Sequence, residues 1–174
     1  MKRNIFVTSD TFFGRSQIIK SAKRPFKTVD EMNAALIDRW NSVVKDGDLV
    51  YHLGNFAWDP SSADDAAKLL NGDICLIKGE YDDAAQEVSK FIDTFTIVQN
   101  DILKELKTGI VLSHWPLHDW PGKRKGNFHF HGNSIKRNKT DLKKMKRVNV
   151  CCDNWNFTPQ NIEDLLDLFK DFEK

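Results

Sequence analysis

The sequence predicts an α/β domain whose strands begin in strand–helix–strand units and end in antiparallel pairs. Two observations predict it. In the first half of the chain short apolar runs alternate with segments of helical periodicity, and in the second half such runs follow one another almost directly. The runs also end on one kind of loop, short and rich in polar and aromatic residues, and loops at the C-terminal ends of parallel strands build the site in such folds. A chain of 174 residues is long enough for a substantial core, and residues 1–174 are expected to form a single domain, with no linker, repeat or low-complexity segment.

Residues 4–9 form a short, mostly apolar run ended by Asp10, the pattern of a buried strand. Residues 15–26 are mixed and reach Pro25, which predicts loop with a short helix. Residues 28–44 predict a full helix. Thr28 is its cap, Glu31 the capping-box acid, and Met32, Ala35, Leu36, Trp40 and Val43 fall at helical spacing. Gly47-Asp48 breaks it, residues 49–53 form the next strand, and Gly54-Asn55 ends that strand. Ser61 or Ser62 is expected to cap a helix running to Leu70, which Asn71-Gly72 stops. Residues 74–77 predict a strand and 83–89 a weak helix. Residues 91–100 and 102–106 read as strands, and Lys107-Thr108-Gly109 turns the chain into another at 110–113. Strands at 128–131 and 148–153 complete the set. Pro159 is expected to open a C-terminal helix with Ile162, Leu165, Leu166, Leu168 and Phe169 as a broad apolar stripe.

Composition narrows the function classes. Apolar residues make up 40% and charged residues 29%, the balance of a folded globular domain. No apolar run approaches the length of about 18 residues that a spanning helix needs, so no membrane role is expected. Met1-Lys2-Arg3-Asn4 leads at once into a strand, without the apolar stretch of a signal peptide. Cys75, Cys151 and Cys152 lack metal spacing and read as reduced core residues, which implies a cytoplasmic setting, that of the host if the chain is viral. The net charge of +1 hides an uneven distribution: Lys136, Arg137, Lys139, Lys143, Lys144, Lys146 and Arg147 crowd one stretch, Lys123-Arg124-Lys125 precede it, and acids dominate the C-terminal helix. Such runs read as solvated faces, or more pointedly as an anion-facing patch beside the fifth of the loops below.

Five loops hold the informative residues: Asp10-Thr11-Phe12-Phe13-Gly14, Gly54-Asn55-Phe56, Gly79-Glu80-Tyr81-Asp82, Ser113-His114-Trp115-Pro116 and His131-Gly132-Asn133-Ser134-Ile135. Their order, spacing and flanks resemble the calcineurin-like metallophosphoesterase family, whose loops read roughly D-x-H, G-D, G-N-H-D, S-H and G-H-x-H. The flanking matches are similar to small bacterial and phage members: Arg24-Pro25-Phe26, Trp40-Asn41, Tyr51-His52-Leu53-Gly54, and Asn149-Val150 through Asp153-Trp155. The resemblance implies two mixed β-sheets packed as a sandwich flanked by helices. It also implies a centre of two cations that clamp a phosphate and activate a bound water.

Carried over residue by residue, that centre is eroded. The first metal would have Asp10, Phe12, Asn55 and Ile135, and two of these have no donor atom. The second would have Asn55, Glu80, His114 and Asn133, all of a type that can ligate, with Asp10 nearby. Tyr81 stands where the family has its catalytic histidine, and Asp82 where the family's aspartate supports the loop. No cofactor is therefore expected, the alternative being a single divalent cation, Mn, Mg or Zn. No Ser-His-Asp or Cys-His arrangement is legible, and His52, His118, His129 and His131 read as structural.

Phe12, Phe13, Trp58, Trp115 and Trp120 lie on or beside the loops, and with Lys123, Arg124, Lys143, Lys144 and Lys146 they form the expected binding surface, since aromatics beside cations compose binding hot spots. Two kinds of function follow. The favoured expectation is a catalytically degenerate protein of the phosphoesterase type that binds a protein partner. The alternatives are a residual one-metal phosphodiesterase or phosphatase, and a non-cleaving nucleic-acid binder using the basic stretch at 136–147.

Overall fold

A computed structural model describes residues 3–82, 90–92, 95–98, 107–135, 140–141 and 146–170. Its elements run β1 (Ile5–Thr8), α1 (Ser16–Ser21), α2 (Val29–Val43), β2 (Leu49–His52), α3 (Pro60–Leu69), β3 (Asp73–Ile77), β4 (Lys90–Ile92) and β5 (Phe95–Val98). They continue with β6 (Ile110–Ser113), β7 (Phe128–His131), β8 (Thr140–Asp141), β9 (Arg147–Asn149), β10 (Gln160–Asn161) and α4 (Ile162–Lys170). Two five-stranded sheets result, ordered β10-β1-β2-β3-β4 and β5-β6-β7-β9-β8. Both are mixed: the inner strands are parallel, and β10, β5 and β8 pair antiparallel.

Side chains alternate across a strand, so β1 serves both sides of its sheet. Phe6, with Val50, Ile74 and Leu76, meets Met32, Leu36 and Trp40 of α2 and Ala63 and Ala66 of α3. Val7, with Leu53 and Ile77, turns the other way onto Ile110, Leu112, Phe128, Phe130 and Val148 of the second sheet. Ile162, Leu165, Leu166 and Phe169 of α4 complete that layer. A sheet sandwich flanked by helices is thus what the molecule adopts. On the far face of the second sheet, the loop at 114–127 covers Val111, His129 and His131. The Leu117 N–H donates to His129 Nε2 at 3.0 Å, and the Trp120 ring lies 5.1 Å from the His129 ring.

Several boundaries differ from the sequence reading. The cap of α2 is Thr28 as expected, accepting from Glu31 N at 3.1 Å, but the Glu31 carboxylate closes onto Lys27 N, one residue outside the box. The cap of α3 is Asp59, not Ser61 or Ser62: its carboxylate accepts from Ser62 N at 2.9 Å, and Pro60 takes the first helical position. Pro159 leads into β10 rather than opening α4. The strand expected at 148–153 ends at Asn149, because a 3-10 turn at Cys152–Asn154 brings Asp153 back towards Arg24. The single run expected at 91–100 is split between β4 in one sheet and β5 in the other. The expected helix at 83–89 and strand at 102–106 lie outside the described residues. No described helix is long and apolar enough to cross a membrane.

Candidate functional site

The loops after β1, β2, β3, β6 and β7 meet at the C-terminal ends of the parallel strands, and their backbones turn sharply there. Asp10, Phe12, Asn55 and Asn133 all hold positive φ, between 48° and 59°, a region that side-chain-bearing residues occupy at a cost. The first two loops run side by side, with Asp10 N donating to Gly54 O at 2.9 Å, Phe12 N to Asn55 O at 3.0 Å and Phe13 N to Phe56 O at 2.9 Å. Gly54, at φ 88°, passes so close beneath His114 that a Cβ there would lie 2.4 Å from its Nδ1.

Asp10, Asn55 and His114 form the centre, and all three are buried. His114 Nδ1 lies 2.6 Å from the Leu53 carbonyl, which can only accept, so Nδ1 carries the proton and Nε2 presents a lone pair. Asn55 Nδ2 points between the two neighbours, 2.9 Å from Asp10 Oδ1 and 3.4 Å from His114 Nε2, while its Oδ1 accepts from Tyr81 N at 3.3 Å. Asp10 Oδ2 accepts from Ser9 Oγ at 2.7 Å and from Asn133 N at 2.8 Å. Burial pushes the Asp10 carboxyl above its ordinary range, and His114, Ser9, Asn55 and the Asn133 amide oppose that push.

Asp82 acts beneath this group. Its carboxylate accepts from the backbone N–H of Asn55 at 2.6 Å, Gly79 at 2.7 Å and Phe56 at 2.8 Å, so one side chain ties two loops together. Arg24 does the same for the first loop. Its buried guanidinium donates to the Thr11 carbonyl at 2.7 Å and the Asp10 carbonyl at 2.6 Å, and forks onto Asp153 at 3.1 and 2.8 Å. Sequence reading quoted Arg24 and Asp153 as flanking matches but gave them no role. The pair spans 129 residues, and no local pattern announces it.

The donor set does not fit a two-metal centre. Phe12 and Ile135 pack with the apolar cluster on the helix side of the first sheet. Among the described residues no three His, Cys, Asp or Glu side chains gather as ligands. Of the residues read as a single-metal set, Asn55 and His114 come together with Asp10. Asn133 offers this group its backbone N–H. Glu80 is exposed and makes no hydrogen bond to it. The Tyr81 ring lies outside the centre, 5.8 Å from Phe12 and 5.6 Å from Trp58.

Around the floor runs an aromatic rim that includes Arg15, which sequence reading passed over. The Arg15 guanidinium lies 4.4 Å from the ring centres of Trp58 and Tyr81 and 4.9 Å from that of Phe12. Trp58 is 42% exposed and Trp115 49%, with the Trp115 ring 4.9 Å from His114. Three residues expected on the binding surface are corrected: Phe12, Phe13 and Trp120 are 3%, 1% and 5% exposed and belong to the interior. Phe12 and Phe13 fill the space beneath their own loop, and Trp120 covers His129 and spends its N–H on the Asn127 carbonyl.

The described part of the basic stretch lies away from these loops. Lys123, Arg124 and Lys125 lie in a 3-10 turn just before β7, where Thr108 Oγ1 donates to the Gly126 carbonyl at 2.8 Å. Lys146 Nζ reaches to 5.1 Å from the Phe128 ring centre, at the same N-terminal edge of the second sheet. The loops around Asp10 lie at the opposite, C-terminal edge, so this patch is not beside them. Lys136, Arg137, Lys139, Lys143 and Lys144 lie outside the described residues.

No family model matches the chain. In structure it is similar to a protein of unknown function from Aquifex aeolicus, with a TM-score of 0.76 at 18% identity over 96% of this chain and 100% of that one. Weaker overlaps are found with Pseudomonas putida nuclease MPE, TM-score 0.48 at 15% identity over 75% of this chain and 61% of the other. Another is a predicted phosphoesterase from Streptococcus pneumoniae, TM-score 0.42 at 17% identity over 87% and 72%. In sequence it is 32% identical over 174 residues to an uncharacterized protein of Methanocaldococcus jannaschii, covering 97% of this chain and 92% of the relative. At that identity across nearly its whole length, the chain belongs to the family of the Methanocaldococcus jannaschii protein.

Proposed function

We propose that the chain is a metallophosphoesterase-like protein whose two-metal centre has been dismantled, and that it acts by binding a protein partner. The order of the five loops and their meeting at one sheet edge support the first part. One observation carries the loss of the centre: the Asn55 amide is wedged between Asp10 and His114, the two residues that keep the family's ligand types. A cation there would meet an N–H where a lone pair is required, since an amide nitrogen donates and does not coordinate. The floor is thereby closed by hydrogen bonds inside the protein, and the exposed Trp58 and Trp115, with the half-buried Tyr81, are left as the part that can meet another molecule.

The test is metal uptake and turnover together. Protein incubated with excess Mn²⁺ or Zn²⁺ and desalted is expected to retain less than one metal per chain, and to leave bis(4-nitrophenyl) phosphate unhydrolysed. Stoichiometric metal with turnover that His114→Ala abolishes would overturn the reading in favour of a residual phosphoesterase.

A further inference from the structure

Arg15 stands out among the cations of the molecule. The residue is half-buried and its guanidinium carbon lies within 4.9 Å of three ring centres, yet no carboxylate, carbonyl or hydroxyl among the described residues pairs with the guanidinium. Attraction to ring faces engages the charge of a guanidinium and gives its in-plane N–H donors no oxygen to bond. A partly desolvated cation with unused in-plane donors favours an oxyanion delivered edge-on. The floor cannot supply one: both oxygens of Asp10 already accept from Asn55, Ser9 and Asn133, and those of Asp82 accept from three backbone amides. Glu80, next in sequence to Tyr81, is exposed and makes no ion pair with Arg15.

Beside this cation lies the Trp58 indole, 42% exposed. Trp58 and the half-buried Tyr81 are in ring contact, 5.6 Å apart, so cation, indole and phenol form one surface. Arg, Trp and Tyr are the residue types that dominate binding energy where proteins meet. Resting on the reading above that this protein acts by binding another, we propose that Arg15 is the anchor of that interface, receiving an Asp or Glu carboxylate from a protein segment whose neighbouring apolar residue packs on Trp58. Positive charge at the rim and the lack, among the described residues, of a carboxylate answering it make the occupant acidic. The exposed Trp58 indole makes it apolar beside the acid.

The experiment selects linear peptides from a randomised display library on immobilised wild-type protein, then measures the winners in solution by tryptophan fluorescence. Enriched peptides are expected to carry an Asp or Glu adjacent to an aromatic or branched aliphatic residue. Arg15→Met is expected to weaken such a peptide roughly tenfold or more, and to bind the wild-type peptide and its Glu→Gln form alike, so that the two changes are not additive. Thermal melts confirm that Arg15→Met is folded, and Arg15→Lys, which keeps charge without the fork, is expected to fall between. Peptides without an acidic consensus, equal loss of the Glu and Gln peptides on Arg15→Met, or stronger competition from AMP or an oligonucleotide than from the peptide would each overturn the proposal. Failure here with no phosphodiester turnover removes the anchor and leaves the degenerate-site reading standing. Turnover with bound metal removes that reading whatever the peptides do.

Discussion

Lowering the pH from 7 to 5 should destabilise this protein through two buried imidazoles. Thr11 Oγ1 spends its only hydrogen on the Phe56 carbonyl at 2.8 Å, so at 2.9 Å it can only accept from His52 Nε2–H. His52 Nδ1 is buried without a partner, and protonating it would bury an unpaired N–H beside His114. Burial first, then His114, therefore pushes the His52 pKa down to about 3. His129 is held neutral differently: Nδ1 faces the Val111 carbonyl at 3.1 Å, so Nε2 must accept from Leu117 N. Burial, His131 and Arg147 drive it down to about 3 as well. Both folded pKa values lie below the unfolded one of about 6.5, so the unfolded chain binds more protons between the two values. Stability is full above about 6.5 and is lost as pH falls through that window. At pH 5 the loss is about 2 kcal/mol per histidine, or a urea midpoint lower by about 1 M for a slope of about 2 kcal/mol/M. Asp10 and Asp82, raised by burial, act in the opposite sense, so the diagnostic quantity is a difference between proteins. Urea melts at pH 7 and 5 are compared for wild type and His52→Gln, whose amide can still donate to Thr11. The variant should lose about 1 M less on acidification. An unchanged pH dependence would refute the assignment of His52 as a neutral buried group.

Asp153→Ala strips the carboxylate from a guanidinium that is wholly buried, and should cost about 3–5 kcal/mol in urea melts, far more than an exposed pair. Gly54→Ala must displace His114 and adopt φ 88°, so it should lower the melting temperature by several degrees and shift the His114 ring resonances in NMR. Asp82→Ala leaves the N–H groups of Asn55, Phe56 and Gly79 without their acceptor, at roughly 1–3 kcal/mol each. Little folded protein is expected in expression trials or by circular dichroism.

Much of the fold was legible because its strands are bounded by strong local signals. β6 and β7 begin and end where the apolar runs do, and α2 starts on its Thr28 cap. Failures occurred where a distant partner decided the outcome. Nothing in the run from Val148 tells of the Arg24 pairing that turns Asp153 aside, and a two-residue strand such as β10 has no periodicity to read. At the site, residue types raise the expectation of an eroded centre, whereas the position taken by the Asn55 amide required coordinates. Loop aromatics were the least readable. Phe13 and Trp58 flank neighbouring turns with similar surroundings in sequence, yet one is 1% exposed and the other 42%. The place of Arg15 is not legible in sequence because a guanidinium among three rings has no spacing rule.

β1 lies inside its sheet, between β2 and β10, and its antiparallel partner is drawn from residues 160–161, some 150 positions later. During synthesis the chain can assemble β1, β2 and β3 with their helices early, but one edge of β1 stays unpaired until Gln160 and Asn161 have emerged. The same wait applies to the inter-sheet layer, which needs Ile162, Leu165 and Leu166 before Val7 is enclosed. A nascent chain stalled before that point presents an open parallel edge and an uncovered apolar face, the two features that invite association with other chains. Productive folding therefore depends on whether translation finishes before that edge finds another partner.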